Sequence, residues 1–65
     1  MTEFDKIHNE TIGNWEKIDG EDGFTTWCNP QSPEINRIIY TDNGKAVEIA
    51  ETDINGETIN EWHRD

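Results

Sequence analysis

The chain has 65 residues, and fifteen Asp and Glu against five Lys and Arg give it a formal net charge of -10 at pH 7. A chain of this length forms one domain, residues 1–65, whose core is too small for a cofactor cleft between two lobes. The charge excludes direct binding to nucleic acid, because five scattered cations cannot form a stripe that neutralises phosphates.

Composition favours a folded β protein despite a hydrophobic fraction of only 31%. Three Trp, two Phe, one Tyr and nine Ile provide large core-forming side chains. Leu is absent and β-branched residues are plentiful, which favours strands over helices. The single cysteine, Cys28, cannot form an internal disulfide, and no stretch has the length or apolarity of a signal peptide or membrane span. We therefore expect a complete small cytoplasmic protein.

The N-terminal segment, residues 2–11, has the features of a short helix. Thr2 is a suitable N-cap, Asp5 follows at the capping-box position, and Phe4 and Ile7 would face inward. The segment is short for a helix that must be stable by itself. A first strand or an unpaired arm is the alternative.

The next elements form a predicted hairpin around the polar loop 19–23. A five-residue loop would place Trp15 opposite Trp27 and Ile18 opposite Phe24. These two pairs fall on opposite faces of the sheet, so either a bulge intervenes or one pair caps an edge.

A proline-containing segment, residues 29–33, follows this hairpin and is predicted to be a rigid connector. After it, Asn43–Gly44 lies between two runs rich in β-branched residues, 35–41 and 45–51, which is the strongest short hairpin signal. The two-residue turn predicts a register in which one face, the expected core face, carries Ile38, Tyr40, Val47 and Ile49. The opposite face then carries Arg37, Ile39 and Glu48.

A second Asn-Gly pair, Asn55–Gly56, predicts another two-residue turn that places Trp62 opposite Ile49. The predicted fold is all-β, or α+β if the N-terminal helix forms: a small antiparallel meander of about five strands built from two or three hairpins. Its last three strands are expected near residues 35–41, 45–54 and 57–63. A helix through Ala46, Val47, Ala50 and Ile54 is the competing interpretation.

No residue pattern indicates catalysis, a cofactor or a metal. Cys28 is not followed by the small residues of a nucleophile elbow, and acids are so frequent that a pair of carboxylates is uninformative. The loops 19–23 and 42–44 lack the alternating oxygen ligands and terminal Glu of an EF-hand. We therefore expect a protein that is not an enzyme and has no cofactor.

The acidity is more informative about binding. A globule of this length is about 28 Å across, and duplex DNA of that length carries about 16 charges. Acids grouped on one side would therefore suit a basic groove built for nucleic acid. The candidate contact residues are two groups of acids and one tryptophan: Glu48, Glu51, Asp53, Glu57 and Glu61; Glu16, Asp19, Glu21 and Asp22; and Trp27.

No motif identifies a family. In gross character the chain resembles inhibitors encoded by phages or mobile elements, since it is tiny, acidic and β-rich, with one cysteine and a composition rich in Ile and Asn. That resemblance implies a basic host protein as partner, such as a nuclease, polymerase, repair enzyme or nucleoid protein. The alternative is an assembly module that forms homo-oligomers through an exposed edge strand and whose acidity serves solubility.

Overall fold

Five antiparallel strands, each paired with the next along the chain, follow one N-terminal helix in the computed structural model, which describes residues 1–64. The elements are α1 (Glu3–Asn14), β1 (Glu16–Glu21), β2 (Phe24–Asn29), β3 (Ser32–Asp42), β4 (Lys45–Thr52) and β5 (Thr58–His63). The predicted meander with a short N-terminal helix is confirmed. Residues 45–52 form a strand, so the competing helix through this segment is wrong.

Helix α1 begins as the sequence predicts. Thr2 is the N-cap, and its Oγ1 accepts the backbone N–H of Asp5 at 3.1 Å. Phe4 is buried and Ile7 packs against the core, so the helix gains its stability by burying this face on the sheet. The helix ends where Trp15 turns extended, although the Trp15 N–H still donates to the carbonyl of Thr11.

The two Asn-Gly turns differ. Asn43 and Gly44 both have positive φ, 53° and 80°, as the predicted type I′ turn requires. In the second turn only Gly56 has positive φ, and its N–H donates to the Asp53 carbonyl while the Asp53 N–H donates to that of Glu57. This is a three-residue loop with a glycine bulge, so the predicted two-residue loop is wrong there.

Trp62 nevertheless lies opposite Ile49, as predicted. The register between β4 and β5 shifts by one residue between Glu51 and Thr52, and this irregularity offsets the extra residue of the loop.

The predicted core face of β3 is wrong. A bulge between Tyr40 and Thr41 shifts the register, so that Ile39, not Ile38, lies opposite Ile49. Ile39 is 2% exposed, whereas Tyr40 is 38% exposed on the other face. Because side chains alternate along a strand, one extra residue moves every later side chain to the opposite face.

The first hairpin is tighter than predicted. Glu21 pairs with Phe24, so the loop has two residues and not five. Trp27 pairs with Lys17 and not with Trp15, but a bulge, one of the two alternatives expected for this hairpin, is present between Lys17 and Asp19. The proline-containing connector is also shorter than expected, because Asn29 and Ser32 pair across a tight turn and make β2–β3 a further hairpin.

The helix lies on one face of the sheet, which we call the covered face. Its core consists of four buried residues with three half-buried hydrophobic side chains around them: Phe4, Ile39, Ala46 and Ile49, with Ile7, Trp27 and Trp62. The opposite side, which no other element covers in residues 1–64, we call the open face.

Candidate functional site on the open face

Strand pairing arranges the side chains of the open face in three cross-strand rows, because directly paired residues point to the same side of a sheet. From one end of the sheet to the other, the rows are Glu21–Phe24–Tyr40–Glu48–His63, Asp19–Thr26–Ile38–Ala50–Glu61 and Glu16–Cys28–Asn36–Thr52–Thr58.

The first two rows have acids towards both sides of the sheet and mainly apolar groups between them, and the third row has one acid, Glu16, on the edge strand β1. The first acidic margin consists of Glu16, Asp19 and Glu21 on β1, and the second consists of Glu48 on β4 and Glu61 on β5. Adjacent strands are about 4.8 Å apart, so β1 and β5 are separated by about 19 Å. The open face therefore presents two lines of negative charge with a strip between them.

The strip between the margins is aromatic and aliphatic. The rings of Phe24 and Tyr40 pack at a tilt with their centroids 6.3 Å apart. Ile38 and Ala50 continue the strip in the next row. An aromatic pair left on an uncovered sheet face is typical of a contact surface, because aromatic side chains contribute strongly to interfaces.

The five margin carboxylates form no ion pair with Lys or Arg anywhere in residues 1–64. Their one basic neighbour is His63, whose Nε2 lies 3.3 Å from Glu61 and whose Nδ1 lies 3.9 Å from Glu48. The negative charge of the open face is thus left almost uncompensated.

Both arginines are engaged on the covered face instead. Arg37 is 7% exposed. Its Nε donates to Glu51 at 3.0 Å, and its Nη1 donates to Glu10 at 2.7 Å and to Thr11 Oγ1 at 2.8 Å. The guanidinium also lies over the Trp15 ring, 4.1 Å from its centroid. This network connects α1 to β3 and β4.

Arg64 makes a second connection between the sheet and the helix. Its Nε donates to the Ala46 carbonyl at 2.7 Å and its Nη1 to Asp5 at 3.3 Å, while the guanidinium lies over the Phe4 ring. Hydrogen bonding with Thr2 and the nearby Arg64 charge hold the pKa of Asp5 below its usual value.

The predicted contact residues fall into separate groups. Both open-face margins consist of predicted residues, so part of each predicted acidic cluster lies on one surface. The neighbouring acids Asp22 and Glu57 lie in the β1–β2 and β4–β5 turns, at the ends of strands. They border the open face and do not belong to its rows.

Three predicted residues have other contacts. Glu51 pairs with Arg37 on the covered face, and its side chain is 12% exposed. Asp53 accepts the N–H groups of Asn55 and Glu57 and so stabilises the β4–β5 turn. Trp27 packs against the core, and its Nε1–H donates to Thr25 Oγ1. None of the three belongs to the open-face rows.

Sequence reasoning missed His63 and the aromatic strip. Tyr40 was expected on the core face and Phe24 was assigned to neither face, and only the pairing of β2 with β3 reveals that they meet on the open face. Glu48, Glu61 and His63 have potential ligand atoms within 4.8 Å of one another, close enough to contact one divalent cation together. The half-buried thiol of Cys28 donates to the Pro33 carbonyl at 3.4 Å.

Comparisons with protein-family models, with curated proteins and with solved structures find no match for this chain. No helix within residues 1–64 has the length and apolarity needed to cross a membrane.

Proposed function

We propose that the protein is a non-enzymatic acidic binding protein that acts in the cytoplasm. Its open face occupies a basic surface of another protein, of the kind that normally binds nucleic acid. The observation that carries this proposal is the arrangement of five carboxylates, none with a Lys or Arg partner in residues 1–64, in two margins on one uncovered face. The Glu and Asp carboxylates of the margins take the place that the phosphates of nucleic acid would occupy on that basic surface.

The dimensions and charge support the proposal. The radius of gyration is 11.0 Å and the longest dimension is 27 Å. Duplex DNA of that length carries about 16 charges, and the chain carries a net charge of -10. Two lines of charge also flank an uncharged strip on this face, as two phosphate backbones flank a groove of duplex DNA.

The aromatic strip favours a protein as the partner. The margins alone would hold a mobile counter-ion or a polyamine. The apolar surface of Phe24, Ile38 and Tyr40 is removed from water only when the surface of a partner protein covers it. We therefore expect a partner such as a nuclease, polymerase, repair enzyme or nucleoid protein, with an apolar side chain between basic residues.

Assembly into homo-oligomers is the second candidate, since the outer edges of β1 and β5 are unpaired in the described chain. Two features of β1 oppose it. The bulge between Lys17 and Asp19 distorts the strand, and its acids would face those of a second copy. The same charge repulsion opposes stacking of two open faces.

The test compares two double variants that remove the same charge from different places. Glu21→Gln/Glu61→Gln takes one carboxylate from each margin, and Glu3→Gln/Glu57→Gln removes two exposed acids outside the rows. Each protein is immobilised, incubated with bacterial lysate and eluted with rising salt, with and without added duplex DNA, and bound chains are identified by mass spectrometry.

We expect the natural chain and the Glu3/Glu57 variant to retain the same basic nucleic-acid-binding protein and to lose it when DNA is added. The margin variant should bind it about tenfold more weakly at low salt. If both variants lost the same amount of affinity for the partner, net charge alone would explain the binding and the open face would be refuted as the site. Recovery of the protein alone, as a stable oligomer, would favour the assembly candidate.

A further inference from the structure

A second concave site lies on the covered side of the sheet, between the C-terminal end of α1 and the β2–β3 turn. This Arg37 cleft has a volume of about 420 Å³ and is open to solvent. Trp15 and Pro30 are the ring-bearing residues of its wall, and Glu10 and Arg37 are two of its charged groups. Its volume falls within the range of small-molecule pockets, about 300–1,000 Å³.

Arg37 offers the cleft unused hydrogen-bond donors. The side chain is 8% exposed, and its Nε and Nη1 groups are taken by Glu51, Glu10 and Thr11. Its Nη2 group donates no hydrogen bond within residues 1–64. A guanidinium has five N–H donors, and Nη2 is not among the buried polar atoms of the described chain that lack a partner, so its donors are accessible from the open cleft that Arg37 lines and can bind a ligand there.

The charges around the cleft restrict which ligands can accept hydrogen bonds from Nη2. Glu10 and Glu51 place two negative charges beside the one positive charge of Arg37. An anion would therefore be repelled, in a chain that is already strongly acidic. A simple cation would be attracted but brings no acceptor for Nη2. A neutral ligand that both accepts and donates hydrogen bonds suits the guanidinium and the two carboxylates together, and it can replace the solvent that they bind in the open cleft.

We propose that the Arg37 cleft binds a neutral sugar ring. Hydroxyl groups both accept and donate, so neighbouring hydroxyls can accept from Arg37 Nη2 and donate to the Glu10 carboxylate. Side-chain amides of Asn14, Asn29 and Gln31 around the cleft add donors and acceptors. The C–H face of the ring packs on Pro30 and on the edge of the Trp15 ring, one face of which the Arg37 guanidinium covers. This site lies on the opposite face from the proposed partner surface and does not depend on it.

The experiment titrates the full chain with sugars that differ in charge, followed by two-dimensional ¹H–¹⁵N NMR. The neutral probes are glucose, N-acetylglucosamine and ribose, which distinguish a hexose or glycan end from a nucleoside sugar. Glucuronate and glucosamine are the anionic and cationic controls. The reporters are the indole N–H of Trp15 and the side-chain amides of Asn29 and Gln31.

We expect saturable shifts of these reporters with at least one neutral sugar, with a dissociation constant of about 1 mM, as befits a ligand of this size. Glucuronate should bind at least about fivefold more weakly. The absence of saturable shifts with every neutral probe, or equal binding of glucuronate, would overturn the proposal. Shifts confined to the open face would do the same.

A matched pair of variants makes the test specific and leaves the Arg37 side chain itself unchanged. Glu10→Gln removes the acceptor carboxylate but keeps an oxygen for Arg37 Nη1, and Glu3→Gln makes the same charge change elsewhere on α1. We expect Glu10→Gln to weaken binding of the neutral sugar about threefold or more. It should also narrow the difference in affinity between glucose and glucuronate. Identical behaviour of the two variants would contradict the assignment.

Discussion

The two faces of the sheet differ in whether their charged side chains have partners of opposite charge. On the covered face the buried arginine is paired with two carboxylates and a hydroxyl and lies over an indole ring. On the open face five carboxylates have no Lys or Arg partner within the described chain. Both arginines of the chain thus attach the helix to the sheet, and the five margin carboxylates remain on the open face without a Lys or Arg partner in the described residues.

This difference separates charges that maintain the fold from charges available to a partner. A buried ion pair contributes little net stability, but removal of one partner leaves the other as an uncompensated buried charge. Exposed acids repel one another, so neutralising them leaves the fold unchanged or stabilises it slightly. Variants of the two faces should therefore differ in both the sign and the size of their effect on unfolding.

The largest expected effect is that of Arg37→Met. It leaves Glu51 without its partner and should reduce the free energy of unfolding by about 3–5 kcal/mol. A domain of this size has about 3–10 kcal/mol in total, so much of the variant should be unfolded. Urea denaturation followed by circular dichroism and tryptophan fluorescence measures the change.

Two controls sharpen this prediction. The double variant Arg37→Met/Glu51→Gln removes the uncompensated charge and should recover part of the loss. Arg64→Met affects a more exposed pair and should cost less. If Arg37→Met were as stable as the natural chain, the network would not hold the helix on the sheet.

The next effect compares neighbours on one strand that point to opposite faces. Ile39→Ala empties a core position that is 2% exposed and should cost about 2–5 kcal/mol. Ile38→Ala acts on the half-buried open face and should cost clearly less. The same urea measurement decides between them. A larger loss for Ile38 would mean that the register first inferred from the two-residue turn was right and the bulge is absent.

The smallest effect concerns pH. Because hydrogen bonding with Thr2 and the Arg64 charge lower the pKa of Asp5 in the folded chain, its ionised form stabilises the fold above the unfolded pKa of about 4. That contribution is lost as the pH falls through the folded pKa. Asp5→Asn should therefore be less stable than the natural chain at pH 7, and the difference should shrink in acid.

Denaturation series at several pH values between about 2 and 7 measure this difference. Glu3→Gln, in the same helical turn, is the control, since Glu3 forms no ion pair in the described residues. A difference between Asp5→Asn and the natural chain that stays constant with pH would show that the Asp5 charge does not contribute.

Local sequence determined several elements because their causes lie within a few residues. The helix cap at Thr2 and the type I′ turn at Asn43–Gly44 depend on short-range hydrogen bonds and on backbone conformations that these residues favour. The strand-rich composition and the negative charge follow from residue counts alone. The acids of both margins were identified this way as well.

The choice between faces was decided only by the tertiary structure. Strand side chains repeat every two residues, so the single bulge at Tyr40/Thr41 exchanges Ile38 for Ile39 in the core. The apolar pattern of β3 fits either face, because Ile35, Ile38, Ile39 and Tyr40 do not alternate strictly. Packing against α1 distinguishes them: Phe4 meets Ile39 and Ile49, and Arg37 finds Glu10 and Thr11 26 or more residues away. Contacts at such separations leave no local signal in the sequence.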